Sequence, residues 1–250
     1  MNKKVVWITG ASQGIGKALA WAMAEQGTHV VASARSRENL EQLAQESSNL
    51  SGCIEPLPLD VTDAQACSQA IMQIMNKHGQ LDQAVLNAGT FFPMKGNEFR
   101  AETVRRQMDI NVMGVCNCLE PVIEVMKKQG RGVIAINASL SGYRGLPKAA
   151  AYGASKAALI NMAECLKLEL HGNGIDVKVI NPGFVKTPLT DKNKFPMPFL
   201  TPADKAAQAI IKGLSRSGFE IRFPFIFASL LHLMKILPYC MYFFLMGRAN

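Results

Sequence analysis

The chain has 250 residues, 48% hydrophobic and 18% charged, which excludes a disordered protein and allows a core that needs no disulfide or metal staples. Its net charge of +8 comes from scattered Lys and Arg with no run of five, a pattern that argues against nucleic acid as a partner. Six cysteines (Cys53, Cys67, Cys116, Cys118, Cys165, Cys240) form no CxxC pair and none precedes a His at zinc spacing, so free thiols, a cytoplasmic setting and no metal are expected. The apolar run Val5–Ile8 is too short for the core of an export signal.

Short apolar runs then alternate with helical patterns. Val5–Thr9 precedes a helix over Gly14–Gln26, and His29–Ala34 precedes a polar helix over Arg37–Glu46. A strand over Cys53–Leu59 leads to a helix over Asp63–Lys77, and a strand over Leu81–Asn87 to one long helical stretch, Phe99–Lys128. Gly132–Ser139, Asp176–Asn181 and Gly218–Phe223 read as further strands, separated by helices over Ala150–Leu170 and Pro202–Ser215. This beat predicts an α/β fold, a Rossmann-like doubly wound parallel sheet of about seven strands with helices on both faces. It assigns 1–222 to one dinucleotide-binding catalytic domain and 223–250 to an apolar C-terminal extension.

The turn after the first strand reads Thr9-Gly10-Ala11-Ser12-Gln13-Gly14-Ile15-Gly16. Three glycines allow a sharp turn and close approach to a pyrophosphate, which the helix N-terminus then meets with free N–H groups. The second strand ends Ala32-Ser33-Ala34-Arg35-Ser36-Arg37, with no carboxylate to hold ribose hydroxyls. Arg35 and Ser36, with Arg37 near them, instead suit a 2′-phosphate, which points to NADP(H). Asp60, with Val61 beside it, is either an adenine contact or the N-cap of the following helix.

Tyr152 and Lys156 lie four apart and share a helical face. A phenol titrates near ~10, and a neighbouring ammonium is expected to lower that value and make Tyr152 a usable proton donor. Ser139, at a strand's C-terminal end, is placed to hold a substrate oxygen.

With these residues assembled, the chain resembles the short-chain dehydrogenase/reductase family over about residues 3–220. Gly10, Gly14 and Gly16 match the family's glycine turn, and Asn87-Ala88-Gly89 its Asn-Ala-Gly segment. Asn111, Ser139, Tyr152 and Lys156 match its catalytic tetrad, and Asn181-Pro182-Gly183 with Val185 and Thr187 its nicotinamide loop. The resemblance implies an NADPH-dependent reductase, or reversible alcohol dehydrogenase, of a ketone or aldehyde. Ser139 and Tyr152 bind the carbonyl oxygen, Tyr152 gives the proton, Lys156 holds the nicotinamide ribose, and Asn111 holds a water that links Lys156 to solvent. It also implies a homo-oligomer built through the two long helices. A non-catalytic NADP(H) sensor or membrane scaffold is the alternative.

The end of the chain departs from the family's compact pattern. Phe223–Met246 is strongly apolar, with Lys235 its only charge, His232 near its middle and Arg248 the one basic residue beyond it. Pro224 and Pro238 bracket a helix over Phe225–Leu237. Three readings stay open: a monotopic tail resting in one membrane leaflet, a lid or dimer-contact helix, or a transmembrane anchor. A membrane contact would favour a lipid-like substrate. Phe184–Leu200, with Pro188, Pro196, Pro198, Phe195 and Phe199, reads either as a mobile substrate lid or as an ordinary surface loop.

Overall fold

The computed structural model describes residues 3–191 and 197–247. Phe195 and Pro196 of the expected lid, and Arg248 beyond the tail, lie outside the described residues.

Seven strands alternate with helices in chain order. They are β1 (Val5–Thr9), α1 (Gly14–Glu25), β2 (His29–Ser33), α2 (Arg37–Glu46), β3 (Cys53–Pro56), α3 (Ala64–His78), β4 (Gln83–Leu86), α4 (Ala101–Met108) and α5 (Gly114–Gln129). There follow β5 (Gly132–Asn137), α6 (Ala150–Leu170), β6 (Ile175–Pro182), α7 (Ala203–Leu214), β7 (Glu220–Phe223), α8 (Phe225–Ile236) and α9 (Tyr239–Gly247). All seven strands pair in parallel in the order β3-β2-β1-β4-β5-β6-β7. Parallel neighbours need helical crossovers, and these cover both faces, which is why β1 is buried at every position. One apolar layer joins α1, α2 and α7 through Leu19, Leu40 and Ile210. The opposite layer joins α3, α5 and α6 through Ile71, Val122 and Leu159, and takes in Ala228 and Leu231 of α8. The order reverses between β1 and β4, so a crevice opens at the C-terminal ends of these strands.

The stretch read as one helix over Phe99–Lys128 is broken. Between α4 and α5, Asp109–Met113 form a π-helical turn. A π turn carries one extra residue and swings its side chains round. Asn111 is thereby buried, pointing back at the segment after β4. Strand β4 ends at Leu86 and β5 at Asn137, both earlier than expected; Asn87 beyond the first and Asn137, still paired with Ile180 at the end of the second, bond across the crevice through their side chains.

The apolar tail folds as two helices, α8 with 12 residues and α9 with 9, parted at Leu237-Pro238. Among the described residues no helix is long and apolar enough to cross a membrane, which removes the reading of a transmembrane anchor helix. Proline lacks the N–H needed to continue the first helix. Arg144 locks the break by donating to the carbonyls of Met234 (2.9 Å), Lys235 (2.9 Å) and Leu237 (2.6 Å), acceptors at a helix C-terminus. The same guanidinium lies over the rings of Tyr239 and Tyr242, and the Tyr242 hydroxyl donates to the Gly145 carbonyl.

Candidate active site

The glycine turn sits at the crevice mouth. Gly10 and Gly14 have φ of +67° and +57°, a region that L side chains avoid. A Cβ on Gly16 would lie 2.2 Å from the Gly10 carbonyl oxygen, so helix and strand can meet this closely only at glycine. Gln13 precedes α1 without a side-chain cap, which leaves the first-turn N–H groups facing the crevice. Ser12 and Ile15 are half-buried and Gln13 is exposed. Thr187 closes the other side, its methyl 3.0 Å from where a Gly14 Cβ would stand.

Thr9 ties this turn to β4. Its hydroxyl accepts from the N–H groups of Asn87 (3.0 Å) and Ala88 (3.1 Å). Asn87 Nδ2 donates in return to the carbonyls of Thr9 and Gly10, and Asn137 Nδ2 donates to Asn87 Oδ1 at 2.8 Å. The Asn137 carbonyl then accepts from Lys156 Nζ at 2.7 Å. A polar chain thus runs from the glycine turn to Lys156. Asn137 Oδ1 is buried with no hydrogen-bond partner among the described residues, an acceptor left facing this chain.

Arg35 is exposed and makes no hydrogen bond or ion pair among the described residues. Ser36 caps α2, accepting from the Asn39 N–H at 3.3 Å, and Arg37 pairs with Glu41 one helical turn on. Arg37 is therefore spent on its own helix. Asp60 is not the N-cap of the next helix. That is Asp63, which accepts from the Ala66 N–H at 2.9 Å, while Asp60 accepts from the Thr62 N–H and hydroxyl. Burial works to raise the Asp60 carboxyl, but the two Thr62 bonds and the Arg35 charge outweigh it and hold it below the usual range. Val61 is buried, and its carbonyl accepts from Asn117.

Asn111, Ser139, Tyr152 and Lys156 come together at the ends of β4 and β5. Tyr152 and Lys156 lie on α6, with Lys156 Nζ 5.7 Å from the Tyr152 ring centre. Ser139 Oγ accepts from the Ser141 N–H at 3.1 Å, donates to the Pro182 carbonyl at 3.5 Å, and lies close enough to the Tyr152 phenol to favour its ionised form. Asn111 Oδ1 accepts from the Thr90 N–H at 2.7 Å, and its amide donates to the Thr90 carbonyl and to Ser155. Both amide hydrogens therefore serve protein partners. The electrostatics depart from expectation. Burial raises the Tyr152 phenol above its ordinary value, and the nearby Ser139 hydroxyl only partly offsets it. Burial pushes the Lys156 ammonium down to about 8, and Nζ turns to the Asn137 carbonyl. Desolvation dominates the pair here.

Several residues at the site carry no signal in the sequence. Gln107, one helical turn before Asn111, accepts from the Phe92 N–H and donates to the Thr90 carbonyl. Phe91 meets Tyr152 edge-on at 5.1 Å. Asn181 turns away from the crevice to donate to Glu220, which also accepts from Tyr143. Pro182 and Val185 are buried; Gly183 is pressed against Phe227 and Pro224 of the tail. Phe227 stacks on Phe184 at 5.7 Å and on Phe199 at 5.9 Å, so the tail and the segment after β6 form one apolar wall beside the site.

Residues 4–196 match the short chain dehydrogenase family. An uncharacterized oxidoreductase of Myxococcus xanthus is 38% identical over 95% of this chain and 94% of its own length. The 3-oxoacyl-(acyl-carrier-protein) reductase of Thermotoga maritima is 36% identical over 77% of this chain and 78% of its own. The alcohol dehydrogenase of the archaeon Thermococcus sibiricus, solved in complex with 5-hydroxy-NADP, superposes with a TM-score of 0.80 at 25% identity, covering 88% of this chain and 96% of its own. The chain belongs to the short-chain dehydrogenase family and is an oxidoreductase of the class that uses nicotinamide cofactors.

Proposed function

We propose that the protein is an NADPH-dependent carbonyl reductase, running reversibly as an alcohol dehydrogenase, on apolar ketones or aldehydes. The observation that carries this reading is the gathering of Ser139, Tyr152 and Lys156 at the ends of β4 and β5, with Lys156 Nζ 5.7 Å from the Tyr152 ring centre. The residues fit a dinucleotide. Gly10, Ser12, Gln13, Gly14, Ile15 and Gly16 would meet its pyrophosphate, and Arg35 with Ser36 its 2′-phosphate. Asp60 and Val61 flank the adenine, while Asn87, Ala88 and Gly89 line the floor. Tyr152 and Lys156 hold the nicotinamide ribose, and Pro182, Gly183, Val185 and Thr187 its carboxamide. Bound there, the nicotinamide supplies the hydride. Ser139 and Tyr152 hydrogen-bond the substrate oxygen, and the phenol, kept protonated by burial, gives its proton to that oxygen as the carbonyl is reduced. The Lys156 ammonium, 5.7 Å from the ring centre, stabilises the phenolate left behind until it takes a proton back from water. Asn111 and Gln107 act as positioning residues, holding Thr90–Phe92 against α6.

Phe91, Phe184, Phe199 and Phe227 favour an apolar substrate. The outer face of α8 and α9 carries Phe225, Ile226, Ile236, Tyr239 and Phe243, each more than 60% exposed. This apolar surface adjoins the wall of the site, and peripheral contact with a lipid surface belongs to the same reading. So does a homo-oligomer through α5 and α6, where Leu168 stands 82% exposed.

The test is NADPH oxidation over ketones, aldehydes and 3-oxoacyl thioesters graded by chain length. Tyr152→Phe should lose turnover by at least about 100-fold while still quenching on NADPH titration. Normal turnover in that variant sinks the mechanism, and tight NADPH binding with no turnover on any compound points to the sensor.

A further inference from the structure

Far from the crevice, at the N-terminal ends of the outer strands, three metal-ligating groups converge. His29 opens β2, Glu55 lies on β3 and His78 closes α3. The strand register sets Cys53 beside His29 and Glu55 beside Val31, and the crossover helix α3 returns His78 to the same face. Glu55 Oε2 lies 3.0 Å from His29 Nε2 and 3.1 Å from His78 Nε2, and the three donor atoms all lie within 4.8 Å of one another.

We propose that His29, Glu55 and His78 form a binding site for a divalent transition-metal ion, with zinc the best match. Two imidazoles and one carboxylate are a zinc donor set, and bonds of ~2.0–2.2 Å give a tetrahedron with edges of about 3.3 Å. The two His–Glu edges already stand close to that length. Lys77 holds the other carboxylate oxygen, Oε1, at 2.8 Å, so Oε2 is the one presented to the imidazoles. Cys53 Sγ lies 2.9 Å from His29 Nδ1, the nitrogen that does not face Glu55. A partner on that second nitrogen fixes the ring and its tautomer, as metal-bound histidines require. The trio is half-buried, with side-chain exposures of 20%, 24% and 12%, so water reaches the fourth position. The site is remote from Ser139 and Tyr152 and independent of the proposed reaction. Its effect is to clamp the sheet-edge strand β3 to β2 and α3.

Zinc spacing in the sequence does not reveal this site, because the donors lie 26 and 23 residues apart. The experiment titrates the full-length reduced protein, stripped with chelator, with Zn(II) by calorimetry and with Co(II) by visible absorption. One equivalent should bind, with a Co(II) band typical of tetrahedral or five-coordinate N/O ligation, and Tm should rise by about 3–6 °C in excess zinc. His78→Gln and Glu55→Gln should each weaken binding at least 10-fold and abolish the Tm rise. A Cys165→Ser/Cys240→Ser variant, which removes the two exposed thiols, should bind as the parent does. No binding by the parent overturns the proposal, as does unchanged affinity in both His78→Gln and Glu55→Gln, or loss of binding in the thiol variant.

Discussion

Burying the Lys156 ammonium costs the unliganded protein stability. Its folded pKa is about 8 against an ordinary 10.5, while its one hydrogen bond goes to the Asn137 carbonyl. Between those values the unfolded chain binds the proton more tightly, so stability rises with pH from about 8 to 10.5 and the full cost stands below 8. The cost is about 3 kcal/mol. Lys156→Met removes it but strands the Asn137 carbonyl, worth about 1–2 kcal/mol. The variant should therefore be about 1–2 kcal/mol more stable than the parent in urea at pH 7, lose that advantage by pH 10, and have no turnover. A variant less stable at pH 7 would show that the ammonium is not penalised. Arg35 has the opposite character, since it is exposed and its one electrostatic contribution among the described residues is a solvent-screened attraction to Asp60. Arg35→Ala should leave Tm unchanged, lower kcat/KM for NADPH about 10–100-fold and leave NADH nearly untouched. Equal losses with both cofactors would remove Arg35 from the 2′-phosphate.

At the scale of elements, the π turn at Asp109–Met113 fixes the site's geometry. It spends an extra residue to bring Asn111 against Thr90 and Ser155. Asn111→Ala leaves the Thr90 N–H without that acceptor, so a loss of about 2 kcal/mol in denaturant stability is expected, with turnover falling as Thr90–Phe92 loosens. Unchanged stability would mean that the turn holds without its amide. This element also marks where reading the sequence stops. The strands were legible because parallel strands buried on both faces read as plain apolar runs, and β1 does so at all five positions. Ser139 was legible from its place at a strand's end and Tyr152 with Lys156 from their spacing on one helix, whereas Asn111 came only with the family resemblance. The π turn was not, because Asp109–Met113 contains no Gly or Pro and keeps helical φ and ψ at both of its edges. Asp63 is the helix cap because it directly precedes Ala64, whereas Asp60, four residues before the helix, accepts instead from Thr62. The rise in the Tyr152 phenol turned on burial, which spacing along one helix does not report.

At the scale of the molecule, the proposed contact with a lipid surface rests on the tail. Arg144, Tyr242 and the buried pair Ala228 and Leu231 fasten α8 and α9 to the domain, so the tail is part of the folded surface. What that surface presents is nonetheless apolar. Phe225, Ile226, Phe243 and Phe244 stand 57–71% exposed, with Lys235 also exposed among them. Such a face carries two costs in water, its own hydration and its tendency to self-associate. Aromatics beside a cation suit the boundary between headgroups and acyl chains. Through Phe227 the face continues into the ring stack at the site, which would let an apolar carbonyl enter from the lipid side. The replacement of Phe225, Ile226, Phe243 and Phe244 by Ser removes four exposed side chains, of which Phe243 also packs on Tyr239 and Tyr242. With Tyr242 still bonded to Gly145, it should keep the fold and the turnover of a short soluble ketone. In flotation with vesicles of phosphatidylcholine and phosphatidylglycerol, the parent should rise with the lipid and the variant should stay behind. Only the parent should gain activity on long-chain ketones when vesicles are added. Failure of the parent to float, with a homodimer that the same four replacements dissociate, would assign the face to a second copy of the chain instead.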